Sequence, residues 1–206
     1  MELVSGLHIG GNSSSVEIGG IDNEVIKLAT KKNQPYIPGS SLKGKMRCLL
    51  EQISGSMNVG GDSKINTLFG FPPKEDKKDS VNSKSSITRL IVRDSYLTQD
   101  SLDVLKSCGD NLDMPYTENK YENSIDRVTG TAGNPRQTER IPAGVSFNVE
   151  FIINVWDSDN EDDLLNLLKK GIKALENDYL GGSGSRGYGQ VSFGELRCEE
   201  ISFDNK

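Results

Sequence analysis

Two stretches carry apolar residues at helical spacing. After Pro38 and Gly39 break the chain, Leu42, Met46, Leu49, Leu50 and Ile53 fall on one stripe, which predicts a helix capped by Ser40 or Ser41. From Glu161 to Asn177, Leu164, Leu165, Leu168, Ile172 and Leu175 recur in the same way, with acids in the first turn and lysines later, which predicts a second packing helix. Val145 to Trp156 alternates well enough for a strand, with Phe147, Val149, Phe151 and Ile153 on one side. Shorter strands are expected at Leu3 to Ile9, Ile87 to Val92 and Gln190 to Gly194, and a short helical turn at Ser101 to Leu105. Ser54 to Gly61 and Lys74 to Ser86 are rich in Gly, Ser and Lys and flank Leu68-Phe69-Gly70-Phe71, the pattern of an inserted segment.

Composition narrows the class. A chain of 206 residues with 34% hydrophobic and 26% charged residues suits a single globular domain, and its 22 glycines supply turns. No apolar run is long enough to span a membrane, and Met1-Glu2-Leu3-Val4-Ser5 lacks a signal-peptide start, so a cytoplasmic location is expected. Cys48, Cys108 and Cys198 are odd in number and widely spaced, which argues against a disulfide framework or zinc cluster and suggests buried free thiols. The net charge of −6 argues against indiscriminate coating of nucleic acid. Its distribution leaves room for a local groove: Val25 to Arg47 holds lysines and an arginine and no acid, whereas Asp157 to Asp178 is dominated by acids.

The basic segment carries the first candidate chemistry. In Ile37-Pro38-Gly39-Ser40-Ser41-Leu42-Lys43-Gly44-Lys45-Met46-Arg47, the wheel puts Lys43 and Arg47 on one flank of the apolar stripe and Lys45 on the other. A helix start with hydroxyls and three cations is a seat for an anion such as phosphate; an ordinary capped helix with solvated lysines reads equally well. Gly39 to Lys45 also matches seven positions of the nucleotide-binding loop G-x-x-x-x-G-K-[ST], but Met46 stands where the magnesium-binding hydroxyl is required, which argues against that reading.

Other candidates are scattered. Asp22 follows Gly19-Gly20-Ile21 in an exposed turn, where a carboxylate serves either as ordinary turn chemistry or to bind a metal or orient a hydroxyl. His8, the sole histidine, is a strand-end residue or a general base, and its solitude rules out a multi-histidine metal site. Glu122 to Arg140 has almost no large apolar residue and reads as an irregular projection carrying Asn123, Arg127, Asn134, Arg136 and Arg140, side chains suited to phosphates and base edges; a solvated loop reads equally well. Near the end, Arg186-Gly187-Tyr188-Gly189-Gln190-Val191-Ser192-Phe193 approaches an RNA-recognition signature, but Gln190 replaces a stacking aromatic; the segment is read as a glycine-rich loop that, with Arg186, lines an RNA path.

Taken together, Gly6-Leu7-His8-Ile9-Gly10-Gly11, Ile18 to Ile26, Ile37 to Arg47, Glu122 to Arg140 and Leu180 to Gly189 resemble, in order, the repeated backbone subunit of the type III-A (Csm) CRISPR interference complex, of the RAMP superfamily. The resemblance implies an α+β fold with a ferredoxin-like (modified RRM) sheet, two packing helices, inserted segments near 54–86 and 117–140 and a thumb-like hairpin. It also implies copies stacked along a guide RNA with other subunits of the complex, each cutting complementary target RNA at one displaced position. On this family pattern Asp22 is catalytic and a tentative ligand of a divalent metal, Mg²⁺, while His8, Ser40, Ser41, Lys43, Lys45, Arg47, Asn123, Arg127, Asn134, Arg136, Arg140 and Arg186 bind RNA. Alternatives are a purely structural RNA-binding scaffold and a stand-alone repeat-processing endoribonuclease using His8. Family members carry a complete first strand before Gly-Leu-His, whereas here only Met1 to Ser5 precede it; either the strand is trimmed at this end or it is short here, and both readings put the stability or assembly of the isolated chain in question.

Overall fold

A computed structural model describes residues 1–11, 23–31, 33–56, 58, 60–71 and 87–201, without the side chains of Asp110 and Asn134. Asp22, with the turn expected around it, and the inserted stretch Lys74 to Ser86 lie outside the described residues.

Strands β1 (Glu2–Leu3), β2 (Tyr36–Ile37), β3 (Leu90–Val92), β4 (Ser95–Leu97), β7 (Phe147–Asn148), β8 (Phe151–Ile153) and β9 (Val191–Ser192) build the sheet, and β5 (Glu118–Ile125) with β6 (Ala132–Arg140) forms a separate hairpin. β1 pairs antiparallel with β9. On its other edge it meets the run into β7 through Glu2↔Ser146, with the Phe147 N–H donating to Met1 O at 2.7 Å. β7 pairs with β4, and β4 with β2. The order β9-β1-β7-β4 is that of a ferredoxin-like βαββαβ sheet, with β2 added at the edge. The strand expected over Leu3 to Ile9 is shorter: beyond Leu3 the chain turns away, leaving the isolated bridge Leu7↔Ile141.

β3 and β4 are one strand interrupted by a bulge. Between Val92↔Phe151 and Tyr96↔Asn148 this strand advances four residues while its partner advances three. The partner therefore keeps its alternation, and Phe147, Val149, Phe151 and Ile153 all face the core as expected. On the bulged side, the extra residue switches parity, so that Leu90 is buried before it and Ser95 and Leu97 after it.

The bulge also places Asp94 against helix α1 (Gly39–Ile53), whose first N–H, on Gly39, donates to Asp94 Oδ1 at 2.8 Å. Ser40 and Ser41 are not its caps; the N-cap position is Pro38, which has no side-chain oxygen, so the capping carboxylate comes from the neighbouring strand. Gly39 is required here because a Cβ would stand 2.1 Å from Val92 O. Helix α4 (Glu161–Glu176), capped by Asn160, packs on α1 where Gly171 lies against Met46 and Leu50. Helix α2 (Ser63–Phe69) packs against both α1 and α4, and α3 (Gln99–Ser107) follows β4 and buries Leu105 in the core. The α2 helix is absent from the periodicity reading although its signal is present: Asp62 accepts from the Lys64 and Ile65 N–H groups, and Ile65, Leu68 and Phe69 are buried. The thiols differ from expectation, since Cys48 and Cys198 are exposed and Cys108 is only partly covered.

Glu122 to Arg140, expected to be irregular, belongs to the regular hairpin of β5 and β6, with a register shift between Glu122 and Ser124. Both faces are largely open, with Tyr121, Ile125 and Val128 exposed, so no alternation marks the strands. A two-stranded ribbon is marginal by itself and must be held at its base. Glu139 provides that hold. Its side chain has no solvent exposure and meets Lys27 Nζ at 2.7 Å, the Val25 N–H at 2.9 Å and the Thr117 hydroxyl at 2.6 Å. Its own N–H donates to Asn23 O at 3.1 Å.

These contacts predict two stability outcomes. Gly39→Ala should cost about 3 kcal/mol and Asp94→Ala about 1 kcal/mol, read as an ordered pair of falls in denaturation midpoint. Glu139→Ala leaves the partly covered Lys27 ammonium, the Val25 N–H and the Thr117 hydroxyl without their common acceptor and should cost about 3–5 kcal/mol, with Glu139→Gln closer to wild type because the amide oxygen still accepts from Thr117; equal midpoints for the two variants would contradict this account.

Candidate nucleic-acid interface

The structure separates the basic residues of α1 as the helical wheel does. On one flank, Lys43 Nζ donates to Thr88 Oγ1 and Leu90 O, each at 2.8 Å. Burial, reinforced by the charge of Arg47, lowers the Lys43 pKa. Arg47 donates to Glu51 Oε1 at 3.0 Å, Gly70 O at 3.0 Å and Asn66 Oδ1 at 2.9 Å. These two cations tie α1 to β3 and to the end of α2, and the Asp94 carboxylate already sits on the helix start. On the other flank Lys45 pairs with Asp178 at 2.7 Å and lies 3.7 Å from the Tyr179 ring centroid, beside the glycine-rich loop. Ser40 is exposed and Ser41 partly so.

A second set of residues converges where the hairpin base, the N-terminal segment and the glycine-rich loop meet. His8 Nδ1 stands 2.7 Å from Glu139 O; a carbonyl only accepts, so Nδ1 carries the proton and Nε2 of the neutral ring is the acceptor. The loop presses on the same residue from the other side, with the Gly182 N–H donating to His8 O at 2.9 Å. Gly181, at φ +75°, is needed because a Cβ would lie 2.2 Å from that oxygen. Asn23, the residue after Asp22 in the chain, is bridged to Thr138 of β6.

Around Tyr188, which is only 1% exposed, four cations gather: Lys120 and Arg140 lie 4.3 and 5.2 Å from its ring centroid, and Arg136 and Arg186 flank them. The buried ring is a platform for cations and not for a stacked base, in line with the departure at Gln190 from the RNA-recognition signature. Arg140 also pairs with Glu118 at 2.6 Å. Glu122 is the common acceptor. It receives Arg136 Nη2 at 3.0 Å, Arg186 Nε at 3.3 Å and the Tyr188 hydroxyl at 3.3 Å, with Lys120 Nζ at 3.6 Å. Burial opposes its ionisation, but the Arg136 hydrogen bond, the Arg186 charge, Tyr188 and Lys120 together hold the carboxyl below its ordinary pKa. Burial, then the Glu122 charge, raises the Tyr188 phenol.

His8, Arg136, Arg140 and Arg186 thus come together, with Lys45 at the start of the same loop. Asn123 and Arg127 are exposed further along the hairpin, Arg127 in a turn closed by Asp126, whose Oδ1 accepts from the Thr129 and Val128 N–H groups. Asn134 lies on β6. Lys120, Glu122, Glu139 and Tyr188 are central to the geometry and escape the sequence reading, which weighed arginines and amides and passed over the acids that hold them. Among the described residues no three of His, Cys, Asp or Glu are grouped as metal ligands. No described helix is long and apolar enough to cross a membrane.

Residues 1–192 match the RAMP superfamily. The chain is 42% identical over 208 residues to the CRISPR system Cms endoribonuclease Csm3 of Streptococcus thermophilus, covering 98% of this chain and 87% of that one. It is 39% identical over 212 residues to the protein of the same name from Methanothermobacter thermautotrophicus, covering 95% and 82%. Among solved structures, a Csm3–Csm4 subcomplex of the type III-A CRISPR-Cas interference complex matches with a TM-score of 0.51 at 30% identity, covering 92% of this chain and 69% of that one. The crystal structure of Methanopyrus kandleri Csm3, at 23% identity and a TM-score of 0.61 over 93% of this chain and 72% of that one, shows the shared fold. Matched over residues 1–192 and about 40% identical to these relatives over nearly its whole length, the chain belongs to the RAMP superfamily and, within it, to the Csm3 family.

Proposed function

We propose that this chain is a guide-RNA-binding backbone subunit of a type III-A CRISPR ribonucleoprotein, stacking with copies of itself and with other subunits, and that it also cuts target RNA at regular intervals. The observation that carries the reading is the convergence of Lys120, Arg136, Arg140 and Arg186 where an exposed hairpin meets the glycine-rich loop, directly beside the residues that follow Asp22. Relatives about 40% identical over nearly the whole chain bear the name endoribonuclease. Half-exposed arginines on a ribbon and a loop, Arg136 and Arg186, grip a phosphate backbone without reading sequence, which suits a protein whose specificity resides in a guide.

Cleavage is assigned to Asp22, and the nucleophile to the 2′-hydroxyl beside the scissile phosphate. The 2′-hydroxyl releases its proton to solvent as the 2′-oxygen bonds to phosphorus, the bond from phosphorus to the 5′-oxygen breaks as that oxygen takes up a proton from solvent, and the products carry a 2′,3′-cyclic phosphate and a 5′-hydroxyl. Holding the hydroxyl in line replaces a chance encounter by a fixed approach. The described residues provide no multi-ligand cage, but Mg²⁺ takes one or two carboxylates and completes its shell with water and phosphate oxygens, so Asp22 with the substrate fits it. When bound, that ion would stabilise charge developing on the phosphate oxygens. Asp22 then orients the hydroxyl or holds the ion.

Asp22→Ala in the assembled complex should remove target cutting and leave guide binding and assembly intact; unchanged products would leave the subunit a scaffold. Chelation of divalent metal should stop cutting, and a 2′-deoxy nucleotide at a cut position should remove that cut alone. RNA binding should weaken steeply with salt, by about 0.7 in the log–log slope for each phosphate contacted; a flat response would count against the groove.

A further inference from the structure

Glu122 does more than fill space between the hairpin and the loop, and the role assigned to it rests on the RNA interface proposed for this chain. A carboxylate at the centre of an RNA-binding cluster is unfavourable to the very ligand the cluster attracts. Yet Glu122 is held there by an arginine fork, with Arg136 Nε at 3.2 Å and Nη2 at 3.0 Å on one oxygen, Arg186 Nε at 3.3 Å on the same oxygen, and Tyr188 OH at 3.3 Å on the other. Two guanidinium groups converging on one anionic oxygen form charge-assisted hydrogen bonds of the kind a phosphate oxygen also accepts. The carboxylate is nearly covered, its side chain 12% exposed, while Arg136 and Arg186 are 52% and 49% exposed. About half of each cationic side chain is therefore open to solvent and to an incoming anion. The contact also joins two elements distant in sequence, β5 of the hairpin and the loop carrying Arg186, and Lys120 strengthens it by donating to Arg186 O at 3.4 Å. Glu122 sits at the register shift of the hairpin, where the pairing with β6 is already interrupted and local movement meets least resistance.

We propose that Glu122 is an internal stand-in for a phosphate: it latches the hairpin to the glycine-rich loop in the free chain, and an RNA backbone phosphate displaces it from Arg136 and Arg186 on binding. The latch keeps the cluster assembled without ligand, and it sets a threshold that a single stray phosphate does not meet but a continuous backbone does. Net attraction for RNA is thereby lowered by one charge at a point where three cations converge.

The test is binding of a fluorescent single-stranded RNA of mixed sequence to the full-length chain over a salt series, comparing wild type with Glu122→Gln. The isosteric amide keeps the shape and removes the charge. Expected is an affinity gain of about three- to tenfold, because the phosphate no longer has a carboxylate to displace. Glu122→Asp keeps the charge but withdraws it by one methylene, and should bind RNA at an intermediate strength; it serves as the second variant should Glu122→Gln fold poorly. Unchanged or weaker binding by a folded variant overturns the proposal and makes Glu122 a strut that preorganises the cations. The double variant Arg136→Gln, Arg186→Gln separates the two readings. If it binds RNA as wild type does, the interface itself is misplaced; if it binds weakly while Glu122→Gln gains nothing, the interface stands and the latch alone falls.

Discussion

A carboxylate with no solvent exposure, Glu139, is the constraint on which the functional end of the molecule depends. Removing such a group from water costs several kcal/mol unless charge and hydrogen bonds replace the lost hydration. Lys27, the Val25 N–H and the Thr117 hydroxyl do so together. Because these partners come from the segment after Asp22 and from the start of the hairpin, satisfying one buried charge seats the ribbon, the residues following Asp22 and, through Glu139 O, the His8 ring in a fixed relation.

The remaining architecture serves the same end from the opposite side. The glycine-rich loop approaches His8 closely enough that a side chain at Gly181 has no room, and this brings Arg186 to the hairpin. The cations there divide by role. Lys43 and Arg47 hold α1 to its neighbours through interior acceptors, whereas Arg136 and Arg186 stay about half exposed around Glu122. Similar sequence chemistry thus yields stiffening in one place and ligand reach in another, and what separates them is the acceptor each side chain finds.

Periodicity made the two main helices and the alternating strand legible, because a buried stripe or face obliges the sequence to repeat. It failed for the hairpin, whose two open faces impose no repeat, and for α2, a short helix whose capping aspartate lay in a stretch rich in loop-forming residues. It also misassigned the cap of α1. The serines at its start are the usual caps, but the acceptor is Asp94, which reaches Gly39 only because a bulge turns the strand.

The sequence by itself determined the family, the order of the core elements and the identity of the cationic side chains, since motifs and buried stripes are local in the chain. Tertiary structure alone decided which cations are committed to the fold, which acids oppose them and how the hairpin is anchored. Those outcomes depend on contacts such as Glu122 with Arg186 and Lys27 with Glu139, between residues 64 and 112 positions apart, and no local pattern encodes a partner at that distance.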